Sequence, residues 1–384
     1  MRVAIDARPA VAPQRTGVGH YTWQLIRRLP PADPSIDFVA WYLNAGSALQ
    51  GRRFFSDVTT PNLSERGTPI PAGVFNRLDA SFDVPRWEWF VRFDVGFAPN
   101  FVPPPTRARR LVVTVHDLGF RMLPSTAPQV VPWWLRRLES TLRTATRVIV
   151  PSKSTRRDVE AAYGVEPERI EVIPLGVDAE IFRPATADEV TTVRRRFGID
   201  GRYVVFLGLD ARKNLPRLLE AFAGLPGSSR PQLVLAGGTP WDPSGVDHVR
   251  RALDSVPSEI GRQVVATGYV SERTKAALLG GAEALVYPSL YEGFGLPVLE
   301  AMSCGTPVLT SGVSALPEVT DGAAVLVDPN DTDAIAAGLE SILTDEELRA
   351  NLRRDGPARA RTFSWDRTAR ATAAVLRTAA GEPG

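Results

Sequence analysis

The stretch that decides the fold is YVVFLGLDARKNLPRLLEAF, residues 203–222. Residues 203–209 form an unbroken apolar run of strand length. Leu215, Leu218, Leu219 and Phe222 then repeat at helical spacing. Between the two runs, Asn214 suits an N-cap and Pro216 a first-turn position. A buried strand feeding directly into a helix is the repeating unit of a parallel sheet with crossover helices. The unit recurs downstream, with strands in QLVLAGG, QVVATGYV, ALVYPS, TPVLTS and AAVLVDP and helices at 245–255, 272–280 and 297–304. Upstream there is an earlier series: RVAID (2–6), a helix from RTGVGHY to about Leu29, IDFVAWYL (36–43), DVGFAPN, RLVVTVHD and TRVIVPS. That series closes with IEVIPLGVD (170–178), a proline-bounded link and a charged helix ending near Phe197.

The fold class is therefore α/β, with two Rossmann-like doubly wound domains meeting at a cleft. The sequence divides as 1–182, 183–363 and a final helix within 364–384, anchored by Trp365 and Val375 and returning to the first domain. Ligands of such sheets bind at the carboxyl ends of the strands, where loops turn into helix N-termini. The motifs that carry chemistry lie at those places.

Composition narrows the field. A formal net charge of +2 over 384 residues gives no reason to expect nucleic acid as a partner. A single cysteine, Cys304, forms no internal disulfide and fits a reducing compartment; within VLEAMSC it reads as a buried, inert thiol. The amino terminus, MRVAIDARPA, carries charges where a secretory signal needs an apolar core, and no apolar run approaches the ~18 residues of a membrane span. The expectation is a cytoplasmic protein, peripheral at a membrane face at most. Only three lysines occur, Lys153, Lys213 and Lys275, in a chain whose other cations are arginine.

Four motifs stand out. In RTGVGHYT (15–22), Gly17 and Gly19 lie between the first strand and its helix, where glycine admits a ligand to the backbone. Thr22 replaces the third glycine of a dinucleotide fingerprint, and no acid follows the second strand, so a nicotinamide cofactor is disfavoured. A tight structural turn explains the motif equally well. In VVTVHDLGF (112–120), His116 ends a strand and could hydrogen-bond a substrate hydroxyl; the bland alternative is a structural pair with Asp117. Arg212 and Lys213 precede a helix N-terminus, an unfavourable place for cations unless an anion lies between them; solvated surface charge is the alternative. Finally, YEGFGLPVLE (291–300) places Gly293 and Gly295 in a loop feeding a helix, a site for a phosphate. Glu300 would repel a phosphate beside it and suits a ribose; Glu292 suits a second polyol. A ribose, a diphosphate and a second sugar compose a nucleotide sugar. Taken singly, either glutamate also reads as an ordinary turn or helix residue.

YEGFGLPVLEAMSCGTPVLTS closely resembles the E-x7-E region of retaining glycosyltransferases of family 4, which have the GT-B fold. The likeness extends through MRVAIDARPA…TGVGHYTWQL, VTVHDL, VPSKSTRRDV, VIPLGVD, ARKNLPRLLEAF and SALPEVTDGAAVLVDPND to FSWDRTARAT. It implies that Arg212 and Lys213 hold the donor diphosphate, Glu292 the donor sugar and Glu300 the ribose. Phe294, Gly295 and Leu296 would line sugar and phosphate through their N–H groups, with Val270 against the base and His116 and Gly19 reaching over from the first domain. One departure is Leu209, where many relatives carry arginine; Arg212 is the candidate substitute.

The implied reaction is retaining transfer of a hexosyl group to an acceptor hydroxyl, with the departing phosphate taking the acceptor's proton and domain closure excluding water. The flavour of IDAR…TGVGHYT and ARKN is similar to bacterial mannosyltransferases, which points to GDP-mannose as donor and a saccharide or lipid-linked acceptor. No cofactor and no metal are expected, because fixed cations and helix dipoles can stabilise the leaving diphosphate; the one Asp-x-Asp, 331–333, reads as a helix start. The segment VPWWLRRLESTLRTATR, with Trp133, Trp134, Arg136, Arg137 and Arg143, admits contact with anionic lipid or, more commonly, plain packing with a solvated basic face. A nucleotide-sugar epimerase and a non-catalytic nucleotide-sugar binder are the rival readings.

Overall fold

The computed structural model describes residues 1–12, 16–44, 54–126, 131–227, 230–237 and 243–382, with the side chains of 243–248 left aside. The chain forms two compact units. The first comprises Met1–Leu118, Val130–Gly176 and Ser364–Gly384; the second comprises Gly119–Gln129 and Val177–Phe363. The chain thus leaves the first unit at Gly176/Val177, where the sequence reading divides it at 182/183, and 119–129 groups with the second unit.

Among the described residues the first unit is built on seven parallel strands: β1 (Arg2–Asp6), β2 (Asp37–Leu43), β3 (Leu63–Thr68), β4 (Val95–Ala98), β5 (Leu111–Thr114), β6 (Arg147–Val150) and β7 (Ile170–Val172). Their spatial order is β3-β2-β1-β4-β5-β6-β7. Residues of β1 pair with both neighbours, Val3 against Phe38 and Val95. Inner strands such as β4 and β5 are buried along their whole length, as a sheet covered on both faces requires. β3 is absent from the sequence reading for a physical reason. Its sequence, LSERGT, is half polar because it lies at the sheet edge, where charged residues discourage further pairing.

The last helix, Trp365–Ala380, packs on the helix Gly17–Ala32 of the same unit. Arg28 Nε lies 3.1 Å from Asp366 and Arg377 Nε 2.6 Å from Asp33. Trp365 is buried, and the Thr368 hydroxyl donates to the Pro174 carbonyl at 2.8 Å. Gly176 is forced here: a Cβ would lie 2.1 Å from the backbone nitrogen of Trp365.

Among the described residues the second unit has six parallel strands: β8 (Tyr203–Leu207), β9 (Gln232–Ala236), β10 (Val264–Gly268), β11 (Ala284–Tyr287), β12 (Val308–Ser311) and β13 (Val325–Val327). They run in the order β10-β9-β8-β11-β12-β13. Phe206, Leu218, Leu219, Phe222, Leu233 and Leu339 belong to one buried cluster that fixes the helices to the sheet. The strand order reverses between β8 and β11. At such a switch point the loops leaving the two strands part in opposite directions and open a crevice at their carboxyl ends.

Candidate active site in the second unit

β8 is followed by Gly208, whose φ of +82° turns the chain, and a Cβ there would lie 3.4 Å from Lys213 Cε. At that distance a Cβ would meet the lysine stem in ordinary contact, so the positive φ is what calls for glycine here. Residues Ala211–Lys213 make one 3-10 turn, and Asn214, in the left-handed region at φ +67°, redirects the chain into the helix Leu215–Ala223. Asn214 holds the N-cap position but makes no side-chain capping bond. Its Nδ2 instead donates to the carbonyls of Pro288, at 3.2 Å, and Pro329, at 2.7 Å. This corrects the capping role expected from sequence: with φ positive, the side chain serves to tie three strand ends together.

The loop after β11 runs from Pro288 to Gly295 and meets the loop after β8 edge to edge. The Leu290 N–H donates to the Arg212 carbonyl at 2.8 Å. Across this seam Lys213 Nζ donates to Glu292 Oε1 at 2.5 Å and to the Tyr287 hydroxyl at 2.5 Å. The same Oε1 accepts from the Tyr287 hydroxyl at 2.9 Å and from Ser289 Oγ at 2.7 Å. Lys213 and Glu292 are 7% and 6% exposed, so the charges are held almost out of water. Burial alone would raise the Glu292 carboxyl, but the ammonium of Lys213 and the charge of Arg212 outweigh it and hold the group at about 2. Tyr287 is pushed well above its ordinary value by burial and by the adjacent carboxylate. At neutral pH the cluster is therefore a carboxylate, a phenol and a lysine.

Arg212 forms an ion pair with Asp210, Nε to Oδ1 at 3.1 Å. The anions that the adjacent cations call for thus include two carboxylates of the protein itself, Asp210 and Glu292.

Gly295, at φ +100°, is the N-cap of the helix Leu296–Ser303, and a Cβ there would come within 2.6 Å of Leu316 Cδ2. Gly293 and Phe294 are buried; Phe294 stands edge-on to Phe363 at 5.7 Å. Leu296 is half-buried at the first helical position. Glu300 lies one turn further and does not join the Lys213 cluster. It pairs with Lys275 of the helix Glu272–Gly280, at 3.0 Å from Oε1 and 2.8 Å from Oε2. Val270 is half-buried in the link between β10 and that helix. Burial lifts the Glu300 carboxyl to about 7, with Lys275 pulling the other way.

Arg212, Lys213 and Glu292 are thus brought together, while Glu300 heads a second buried pair. His116, Gly17 and Gly19 belong to the first unit. Gly17 and Gly19 fall inside the first turn of the helix Gly17–Ala32, a correction to their placement in a turn ahead of it. Thr16 is the N-cap, and the preceding residues 13–15 are outside the described ones. His116 Nε2 lies 2.8 Å from the Pro99 carbonyl, and its ring meets Tyr21 edge-on at 4.9 Å. A carbonyl only accepts, so Nε2 carries the proton. Burial lowers the ring's pKa, which favours the neutral form with its lone pair on Nδ1.

Sequence reasoning missed Tyr287, Ser289 and Lys275. For Lys275 a signal was present. Lysine occurs three times in the chain, and two of the three, Lys213 buried and Lys275 half-buried, pair with the two buried glutamates of the motif. Asp331 of the 331–333 stretch caps the helix Thr332–Thr344, its Oδ1 accepting from the Ala334 N–H at 3.0 Å. In the helix Pro132–Thr144, Arg137 is committed to Asp79 and Asp83 at 2.6 and 2.8 Å and Arg143 to Glu139, whereas Trp133 is exposed and Trp134 meets Phe101 edge-on. Among the described residues no helix is long and apolar enough to cross a membrane.

Comparison with known proteins agrees with this architecture. Residues 15–181 match the family model described as Glycosyltransferase Family 4, and residues 191–359 match Glycosyl transferases group 1. The chain belongs to the GT-B glycosyltransferases of the group 1 and family 4 type. This glycosyltransferase is 29% identical to O-antigen chain mannosyltransferase B of Escherichia coli over 95% of its own length and 97% of the relative's. It is 33% identical to the MMP alpha-(1->4)-mannosyltransferase of Mycolicibacterium hassiacum, over 69% of its length and 64% of that relative's. In fold it is similar to sucrose-phosphate synthase from Thermosynechococcus elongatus, with a TM-score of 0.72, 23% identity and 96% of each chain covered.

Proposed function

We propose that this glycosyltransferase moves a hexosyl group, most simply mannosyl from GDP-mannose, to a hydroxyl of a saccharide or lipid-linked acceptor, with retention of anomeric configuration. The observation that carries the reading is the Lys213–Glu292 pair, stitched across the β8 and β11 loops at the switch point of the second sheet. The mannosyl choice is supported by the two mannosyltransferase relatives.

In the proposed step the bond from the anomeric carbon to the diphosphate oxygen breaks, and a bond to the acceptor oxygen forms on the same face. The acceptor's proton passes to the departing phosphate oxygen, so the step needs no co-reactant. Negative charge grows on the diphosphate as the bond breaks. A preformed cation aimed at that charge contributes on the order of 3–4 kcal/mol. Lys213 directs two of its three protons to Tyr287 and Glu292, and the third is assigned to a diphosphate oxygen, with Arg212 on the same phosphates. Glu292, ionised and gripped at Oε1, offers Oε2 to hydroxyls of the donor sugar. Glu300 accepts from the ribose hydroxyls, the Gly295–Leu296 helix start faces the phosphates, and Val270 lies beside the base. His116 offers Nδ1 to a sugar hydroxyl. No metal is assigned a part.

The test is a panel of nucleotide sugars with saccharide and lipid-linked acceptors, reading nucleoside diphosphate release and the anomeric configuration of the product. Acceptor-dependent release, lost in Glu292→Ala and Lys213→Ala, is expected. Epimerised donor without release would point to an epimerase instead, and binding without turnover to a non-catalytic binder.

A further inference from the structure

Glu300 is 2% exposed on the helix Leu296–Ser303, and among the described residues its side-chain hydrogen-bond donor is Lys275. The ammonium donates to Oε1 at 3.0 Å; it lies 2.8 Å from Oε2 but is not aligned for a hydrogen bond, and Oε2 is buried with no hydrogen-bond partner. Lys275 is itself divided. Its Nζ is 3.3 Å from Glu272 Oε1 and 4.9 Å from the centre of the Phe182 ring. Glu272 Oε2 is likewise buried without a hydrogen-bond partner. One ammonium thus serves two carboxylates.

A buried carboxylate with a shared counter-charge balances between its ionised and protonated forms. Only the ionised form accepts at both oxygens, which is what a pair of vicinal hydroxyls needs. Burial lifts the Glu300 carboxyl towards neutrality, consistent with that balance. The nearby thiol of Cys304 is raised to about 12 and stays neutral.

We infer that Lys275 is a positioning residue for ribose recognition: it holds Glu300 ionised and fixed by Oε1 so that the carboxylate can take a diol, while Glu272 competes for the same ammonium. This rests on the assignment of Glu300 to the ribose, so the experiment must separate the two. Lys275 reaches the donor only through Glu300, so its removal should act on binding and not on bond cleavage.

The experiment measures binding of GDP and 2′,3′-dideoxy-GDP to the full chain, or the uridine pair if the donor panel selects uridine. Wild type is expected to prefer the ribose form by about 10-fold or more, as for hydrogen bonds to a charged group. Equal binding of both by wild type would end the ribose assignment itself. Lys275→Met should weaken GDP about tenfold and dideoxy-GDP less than about twofold, raise KM for the donor and leave kcat within about threefold, with Lys275→Arg restoring GDP affinity. Equal weakening of both ligands would show Lys275 to be merely structural and overturn the inference. Should Lys275→Met not fold, Glu272→Gln decides. Its side chain is 37% exposed, and freeing Lys275 for Glu300 should tighten GDP and leave dideoxy-GDP unchanged. Weaker or unchanged GDP binding in Glu272→Gln would overturn the inference.

Discussion

Replacing Lys213 with methionine keeps the length of the stem and removes its charge. Glu292, 6% exposed, would then retain the hydroxyls of Tyr287 and Ser289 and the more distant charge of Arg212. In the intact protein the Glu292 carboxyl is held at about 2 against an ordinary 4.5. That depression is of the same order as the roughly 3–5 kcal/mol that removing one member of a buried ion pair costs. The sign follows from linkage. A carboxyl whose folded-state value is depressed contributes stability that is fully present above pH 4.5 and is lost as the pH falls towards 2. Lys213→Met should therefore destabilise the second unit by about 3–5 kcal/mol at pH 7 and flatten the acid-range dependence between pH 4.5 and 2. Adding Glu292→Gln removes the stranded charge and should recover more than half of the loss. Hydrogen exchange of the β8 and β11 amides reads this unit directly. A loss below about 1 kcal/mol, or a double variant no more stable than the single one, would refute the idea that the pair compensates buried charge.

Two further outcomes follow from local geometry. Gly295→Ala places a Cβ at φ +100° and 2.6 Å from Leu316 Cδ2; it should cost about 1–3 kcal/mol and raise KM for the donor, read by urea unfolding and steady-state kinetics. Asp331→Ala removes the cap of the helix Thr332–Thr344; it should cost about 1 kcal/mol and leave turnover unchanged, and a large loss of turnover would give the 331–333 stretch a role it is not assigned here.

Much of the architecture was legible because it depends on local pattern. Continuous apolar runs reveal strands buried on both faces, and a glycine or polar turn followed by helical spacing reveals the crossover. Among the described residues the alternation therefore marked every inner strand of both sheets. β3 was invisible because an edge strand buries little and its residues do not repeat at a telling period. The motif around Glu292 and Glu300 also showed itself, since a glycine loop before a helix is a local arrangement.

Partnership was decided by tertiary structure. Lys213 and Glu292 are 79 residues apart, and Lys275 and Glu300 are 25 apart; only the β8–β11 adjacency and the packing of the Glu272–Gly280 helix bring them into contact. Asn214 looked like a cap because its place in the chain suits one, yet its left-handed backbone sends the amide to Pro288 and Pro329 instead. The amino-acid sequence alone establishes which elements form and which residue types stand at their ends. Which charge answers which is fixed by strand order, because electrostatic compensation depends on distance in space, and that distance is unknown until the sheet is assembled.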